Sequence, residues 1–410
     1  MNSTSHSARG AAIAQLVVSI VSILSSIAGL FGVLVLLLLA PTIDSYTFSE
    51  IDQMRGILWI LLLLVLLPIP SLGLSIRYLK GDKPSYVSPR LLLFASLFLL
   101  FVPLLILLGR WLSQTPVSGW LLPLVNILLV GIPLVWYVQL GSRRLRPMTT
   151  KRQWGLSVFS VYITLPMIIF VEVIIVGIGI VFAGLWLLQQ PEFAPLLQQL
   201  TGGSFLDSLS IELPSIDWLP LVQRPEVIGF AVAGISLVVP LIEEALKPAA
   251  MWVLFKRLLS PVEGFIAGLV CGASFGLIES LFSLGSMMGD DWAFTAVGRI
   301  GTGLLHTLTA GLNGWAIASA WQDGKHLRVA VTYFLTVLIH GVWNLFALFM
   351  GLSQLGSEFP LPVNPVLASS SVWVLAAMFI LMLAALFLFN RKLRWQAPPP
   401  LPPEIPAFIE

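Results

Sequence analysis

The sequence is poor in charge and nearly free of cysteine. Lys, Arg, Asp and Glu make up only 10% of 410 residues, while hydrophobic types make up 57%. A soluble domain carries about a quarter charged residues and cannot hide so much apolar surface. The single cysteine, Cys271, lies inside an apolar run, so an intrachain disulfide and a multi-cysteine zinc site are both excluded. The net charge of +2 supplies no broad basic field, which argues against a nucleic-acid partner. Period-two alternation is also missing. Runs such as Leu34 to Leu39 are apolar on every side, which speaks against a lipid-facing barrel. The uncharged stretch 11–40 that follows Arg9 is too long for the apolar part of a signal peptide and reads as an uncleaved first span.

What is present is a series of long apolar segments. A membrane crossing takes roughly 20 apolar residues, and ten segments reach that length: 11–40, 56–76, 91–109, 119–140, 155–188, 226–255, 261–287, 295–321, 329–351 and 371–390. The expected fold is therefore all-α, a polytopic transmembrane bundle in contact with the lipid bilayer. The first and fifth segments exceed the minimum, and Pro166 is a candidate kink in the fifth.

Alternate loops segregate the cations. Arg77, Lys80, Lys83 and Arg90 fall on one side with Arg143, Arg144, Arg146, Lys151 and Arg152, with Lys256 and Arg257, with Lys325 and Arg328, and with Arg391, Lys392 and Arg394. The positive-inside bias makes that side cytoplasmic and places both termini there. Most acids of the loops, Asp44, Glu50, Asp52, Glu192, Asp207, Glu212, Asp217, Asp290, Asp291 and Glu358, lie opposite; Arg55, Arg110 and Arg224 are the exceptions.

The expected organisation is a five-span N-terminal region (1–190), an external loop (191–225) with an amphipathic character, a four-span bundle (226–351), a last span with its preceding loop (352–390) and a Pro-rich cytoplasmic tail (391–410).

Ionisable groups within a span cost at least about 2.5 kcal/mol each on insertion scales, and here they gather in four consecutive spans. Glu243, Glu244 and Lys247 lie on the sixth, Glu279 on the seventh, Arg299 and His306 on the eighth, and His340 and Asn344 on the ninth. Counting 1.5 Å per residue from the cytoplasmic boundaries puts Glu243 roughly 20 Å, Glu279 roughly 27 Å, His306 roughly 22 Å and His340 roughly 18 Å deep. Four helices thus bring side chains to one layer. Glu243 and Lys247, Phe275 and Glu279, and His340 and Asn344 are each four residues apart and share a face. Gly268, Gly272 and Gly276 form a small-residue stripe that invites close approach of a neighbouring helix.

These groups suit amide hydrolysis. A glutamate takes a proton from water, a histidine orients that water or protonates the leaving amine, and the Asn344 amide can stabilise an oxyanion. They also suit a metal: two histidines and a glutamate, here His306, His340 and Glu279, make a three-ligand zinc site with an open position, leaving a second glutamate as base. No H-E-x-x-H run is present, so spacing alone does not demand zinc.

The segments Glu243-Glu244-Ala245-Leu246-Lys247, Gly272 to Glu279, Arg299 with His306, and His340-Gly341-Val342-Trp343-Asn344 resemble in order the four motifs of the PrsW-type intramembrane peptidases, distant relatives of the type II CAAX prenyl endopeptidases. The resemblance covers about 226–350, under a third of the chain. It implies a membrane-embedded metallopeptidase in which the paired glutamates and the histidines are catalytic. It further implies a bacterial cytoplasmic membrane and a membrane-anchored protein substrate of the anti-sigma-factor kind. In the prenyl-peptidase group the second motif supplies histidine where this chain has Glu279, and a glutamate-activated water is favoured over a metal. Glu279 is thus open to three roles: ligand, second carboxylate beside Glu243, or partner of His306.

The expected mechanism has Glu243 polarise a water, Glu244 or Glu279 assist, His306 orient the nucleophile, and His340 with Asn344 stabilise the oxyanion or leaving group. A polar chamber among the sixth to ninth spans and local unwinding of the substrate are required. Lys247 reads as an ion-pair partner, Arg299 as an interfacial snorkeller, Trp343 and Phe275 as packing residues, and Glu172, alone in the fifth span, as a structural carboxyl outside the site. Two alternatives compete. A proton- or solute-coupled transporter also buries Glu and His, but it expects repeated halves that the sequence does not show. A non-catalytic membrane scaffold would keep full activity without the glutamates.

Overall fold

The computed structural model describes residues 2–40, 48–190, 223–254, 259–285, 291–355 and 365–396. The expected external amphipathic element and the polyproline tail lie outside the described residues, save for the positions flanking them. All regular structure described is helical, apart from one isolated antiparallel bridge between Tyr86 and Thr149.

The N-terminal region holds α1 (Asn2–Leu39), α2 (Phe48–Leu66), α3 (Pro68–Leu79), α4 (Arg90–Leu99), α5 (Val102–Leu112), α6 (Ser118–Gly141), α7 (Thr150–Phe159) and α8 (Leu165–Leu188). The C-terminal part holds α9 (Pro225–Ala233), α10 (Val239–Leu246), α11 (Ala249–Leu254), α12 (Pro261–Gly285), α13 (Asp291–Asp323), α14 (His326–Leu355) and α15 (Pro365–Gln396). Proline opens α9, where its missing N–H falls on a position that has no intrahelical acceptor.

Among the described residues, eight helical segments are long and apolar enough to cross a membrane, or nine if α4 and α5, bent by 47° at Leu100 and Phe101, are one crossing. Of the ten expected segments, α13 is the one that falls short in apolarity. That helix is long enough at 33 residues, but Gly, Thr, His and Asn lower its apolarity. It tolerates them because α12, α14, α6, α15 and α5 pack around it and keep lipid away.

Two helices widen into π turns. Ser160–Thr164 separates α7 from α8, and Gly234–Val238 separates α9 from α10. In each case a proline, Pro166 or Pro240, sits two residues beyond the turn. Proline has no N–H to donate to the carbonyl one turn before it and its ring clashes with that carbonyl, and the wider turn relieves the clash. The expected kink at Pro166 takes this form.

The basic loops share one end of the molecule. Thr150 N–H donates to Ser85 O at 2.8 Å, Asn390 Nδ2 donates to Gly141 O at 2.7 Å and to Arg143 O at 3.0 Å, and Arg152 lies 3.6 Å from Glu263. Arg328 and Lys392 both stand over the Trp315 ring. At the other end Asp52 pairs with Arg55, and Trp292 packs on Gly109 while its indole N–H donates to Asn126 Oδ1 at 3.0 Å. Among the described residues, the basic loops at 77–90, 143–152, 325–328 and 391–394 therefore share one end.

The core of the bundle is the α12–α13 seam. A Cβ on Gly268 would meet Ala310 O at 2.1 Å, one on Gly272 would meet His306 O at 2.0 Å, and one on Gly264 would meet Gly314 O at 2.5 Å. Backbones at that separation admit no lipid, and in a membrane such close packing replaces the missing hydrophobic drive.

Candidate active site

The seam positions the site. Gly272 brings α12 onto the carbonyl of His306, and Gly276 faces the imidazole itself, where a Cβ would lie 3.3 Å from His306 Cδ2. Phe275 packs edge-on against the same ring at 5.0 Å. On α13, Thr309 and Asn313 follow His306 at helical spacing and share its face. α14 brings Thr336, His340 and Asn344 in one stripe, and Gly341 allows that helix to meet the backbone of the π turn at Ser236. Tyr333 Oη donates to Leu241 O at 2.8 Å, clamping α14 to α10 just before the glutamate pair.

Glu243, Glu244, Lys247, His306 and His340 are all buried. Lys247 Nζ lies 2.8 Å from Glu243 Oε2, 2.8 Å from Glu244 Oε1 and 2.7 Å from His306 Nδ1. Glu244 is the most fully bonded member. Its Oε1 accepts from Lys247 and, at 3.1 Å, from Thr309 Oγ1; its Oε2 accepts from Asn313 Nδ2 at 3.2 Å. It also meets His340 Nδ1 at 2.9 Å. A carboxylate can only accept, so His340 Nδ1 donates and its Nε2 keeps a lone pair, directed 3.9 Å from Glu243 Oε2. A carboxylate fixing the tautomer of a histidine whose other nitrogen stays free is the usual support of a metal-ligating imidazole.

One oxygen or nitrogen from each of Glu243, His306 and His340 lies within 4.8 Å of the others, which places this trio to hold a metal ion. The chemistry of the trio fits such an ion. Two imidazoles and a carboxylate are the ligand set of open hydrolytic zinc sites. Glu243 Oε2 lies 3.8 Å from His306 Nδ1 and 3.9 Å from His340 Nε2, so the three donors converge. A cation already stands among the donors, since the Lys247 ammonium touches Glu243 and His306 together.

Glu279 sits on the other side of His306. Its Oε2 lies 2.5 Å from His306 Nε2, and its Oε1 accepts from Arg299 at 2.8 Å. Asn344 Nδ2 donates to Ile235 O at 3.0 Å, in the π turn.

With this geometry in view, the comparison with known families is decisive: residues 196–386 match the PrsW family intramembrane metalloprotease. The chain carries a PrsW family intramembrane metalloprotease domain. No curated protein and no solved structure matches it. The PrsW match extends past the four motifs in both directions, from within the segment before α9 to within α15.

Within the PrsW domain all six residues expected at the site belong to one connected cluster or its border. Glu243, Glu244, His306 and His340 form the centre, Glu279 flanks His306, and Asn344 braces the π turn. Glu243 takes the place in the metal-capable trio that the sequence reading gave to Glu279, whose carboxylate is engaged by Arg299. Arg299, expected only to snorkel, is thus tied to the site. Thr309, Asn313 and Thr336 were not singled out. Their helical spacing from His306 and His340 was the available signal. An apolar cavity of about 480 Å³ lies against another face of α12, lined by Leu63, Leu134, Trp154, Ala273 and Leu277 among others; no ionisable group lines it, and it is separate from the chemistry.

Proposed function

We propose that this metalloprotease cuts a peptide bond in or beside the membrane segment of a membrane-anchored protein, with Glu243, His306 and His340 as metal ligands and zinc as the metal. The observation that carries the proposal is the meeting of those three buried donors from α10, α13 and α14 within 4.8 Å. When bound, the metal supplies a Lewis acid that polarises the attacked carbonyl and lowers the proton affinity of water. Two nitrogens and one oxygen favour zinc over the harder ions that select all-oxygen sites.

The protein groups divide the remaining work. Glu244 holds His340 in the tautomer that leaves Nε2 free, and Thr309 and Asn313 hold Glu244. Glu279, which contacts His306, handles the proton taken from water and given to the leaving amine. Arg299 keeps that carboxylate in place. Lys247 offsets the negative charge of the glutamate pair. Asn344 acts through the π turn by bonding Ile235 O, and a role at the oxyanion requires its amide to turn from that carbonyl.

The substrate must unwind locally, because a closed helix shields its own carbonyls. The basic end of the bundle is the cytoplasmic one by the positive-inside bias, with both termini there. A bacterial anti-sigma factor with one membrane anchor fits the substrate class. The catalytic bundle is assigned to 226–351, preceded by the loop 191–225 and the five-span region 1–190.

The test uses the full chain in liposomes with a quenched-fluorescent peptide bearing one apolar span. Glu243→Gln and His306→Ala should each lower turnover by about a hundredfold or more, with zinc content measured on the same samples. Cutting that survives both substitutions at full rate sinks the assignment; cutting by a metal-free preparation sinks the zinc.

A further inference from the structure

Glu172 stands outside the matched domain, on α8 of the N-terminal region, and the mechanism above does not use it. Its surroundings are those of the site. Ile168, one turn earlier on α8, packs in one cluster with Ile242, Phe275 and Ile278. Glu243 follows Ile242, and Glu279 lies one turn beyond Phe275. α8 and α12 both run away from the basic end, so Glu172 and Glu279 step off the same apolar floor in the same direction. Nearer the outer end, α8 meets α9 where Gly179 receives the Phe230 ring. Glu172 therefore lies on the α8 wall between that contact and the Ile168–Ile242 contact, at the level of the widened turn Gly234–Val238.

Two features set this carboxyl apart. Its Oε1 is buried and has no hydrogen-bond partner among the described residues; the same is true of Ser236 Oγ, in the π turn. Its neighbours on α8 are exposed, Phe170 and Val173 at 66% each, so the helix presents a lipid-facing flank beside it. An unsatisfied carboxyl in a membrane span is expensive and calls for a partner. A substrate segment entering from lipid brings one. Once its helix opens, each freed backbone N–H needs an acceptor where water is scarce.

We propose that Glu172 is a substrate-positioning residue of the protease: its free carboxyl oxygen accepts a hydrogen bond from a backbone N–H of an unwound transmembrane peptide arriving between α8 and the π turn of α9–α10. The chemical class recognised is the exposed peptide backbone, independent of side-chain sequence. The N-terminal region thereby supplies part of the substrate site.

The proposal rests on Glu243 lying at the centre of the chemistry, so Glu243→Gln is assayed beside the Glu172 variants. The probe is the same single-span quenched-fluorescent peptide in liposomes with the full chain. Glu172→Leu should raise KM about tenfold while kcat stays within about twofold, because a hydrogen bond to substrate is lost and the reacting groups are untouched. Glu172→Gln keeps an amide oxygen and should keep KM within about twofold. The thermal midpoint of Glu172→Leu should match or exceed that of the unsubstituted chain, since the substitution removes an unpaired buried carboxyl. An unchanged KM in Glu172→Leu overturns the proposal, as does a joint fall of kcat and thermal midpoint, which is the mark of a structural carboxyl. Cutting that survives Glu243→Gln overturns the active-site assignment and this proposal together; loss in Glu243→Gln with unchanged KM in Glu172→Leu overturns this proposal alone.

Discussion

The two halves of the molecule hold their helices together by different means. In the α12–α13 seam, glycine lets backbone touch backbone, and 78% of the apolar window of α12 is buried. At the N-terminal end only 11% of the α1 window is buried, and its closest polar ties are single hydrogen bonds. Gln15 Nε2 donates to Ser71 Oγ at 2.9 Å and to Lys151 O at 3.0 Å, and Ser19 Oγ donates to Ser71 Oγ at 3.0 Å. Lipid tails are as apolar as leucine, so neither region gains from burying leucine as a soluble core does. The seam excludes lipid by shape and can therefore border charges. The α1 region leaves lipid in contact and keeps only neutral polar groups inside.

That contrast breaks most visibly at Lys247. Lys247→Met leaves two buried carboxylates without their ammonium, and breaking a buried ion pair typically destabilises by about 3–5 kcal/mol. The metal-free chain should melt markedly earlier, and added zinc should recover much of the loss by occupying the same donors. A thermal melt with and without zinc checks both parts.

Next in size is the seam itself. Gly272→Ala sets a methyl 2.0 Å from His306 O, and overpacking of this kind costs about 1–3 kcal/mol. Because the displaced carbonyl belongs to a site residue, proteolysis should fall together with the thermal midpoint. Gly177→Ala on α8 meets nothing within 4 Å and should leave both unchanged. Equal behaviour of the two variants would remove the seam's special status.

The smallest expected effect is at the other end. Gln15→Ala removes hydrogen bonds that are worth about 0.6 kcal/mol on average between membrane helices, so the midpoint should shift slightly and peptide cutting should not change. A large loss of turnover would show that α1 is mechanically joined to the site.

Much of this was legible in the sequence because ionisable residues inside a span are rare enough to mark themselves. Glu243, Glu244, Glu279, His306 and His340 stood out on that ground, and helix rise alone brought them to one depth. The ion pair of Glu243 with Lys247 followed from four-residue spacing. Depth does not fix rotation about a helix axis, so the sequence could not decide whether Glu243 or Glu279 completes the trio. Nor could it pair Arg299 with Glu279, since the two lie on different helices. Thr309, Asn313 and Thr336 carry no charge and look like ordinary interhelical polar residues. The 47° bend between α4 and α5 and the two π turns depend on how neighbours pack, and prolines only hinted at where they fall.

Each π turn spreads a turn of helix over one extra residue, which advances everything beyond it by about a hundred degrees around the axis. The span carrying Glu172 and the span carrying Glu243 each contain one such phase step, between the membrane anchor and the acid-bearing stretch. A single-residue deletion inside Ser160–Thr164 or Gly234–Val238 would return that stretch to ordinary helical register and swing its carboxylate out of the shared compartment. The enzyme's geometry is thus tuned by two local insertions, one of which packs directly on the helix that bears His340.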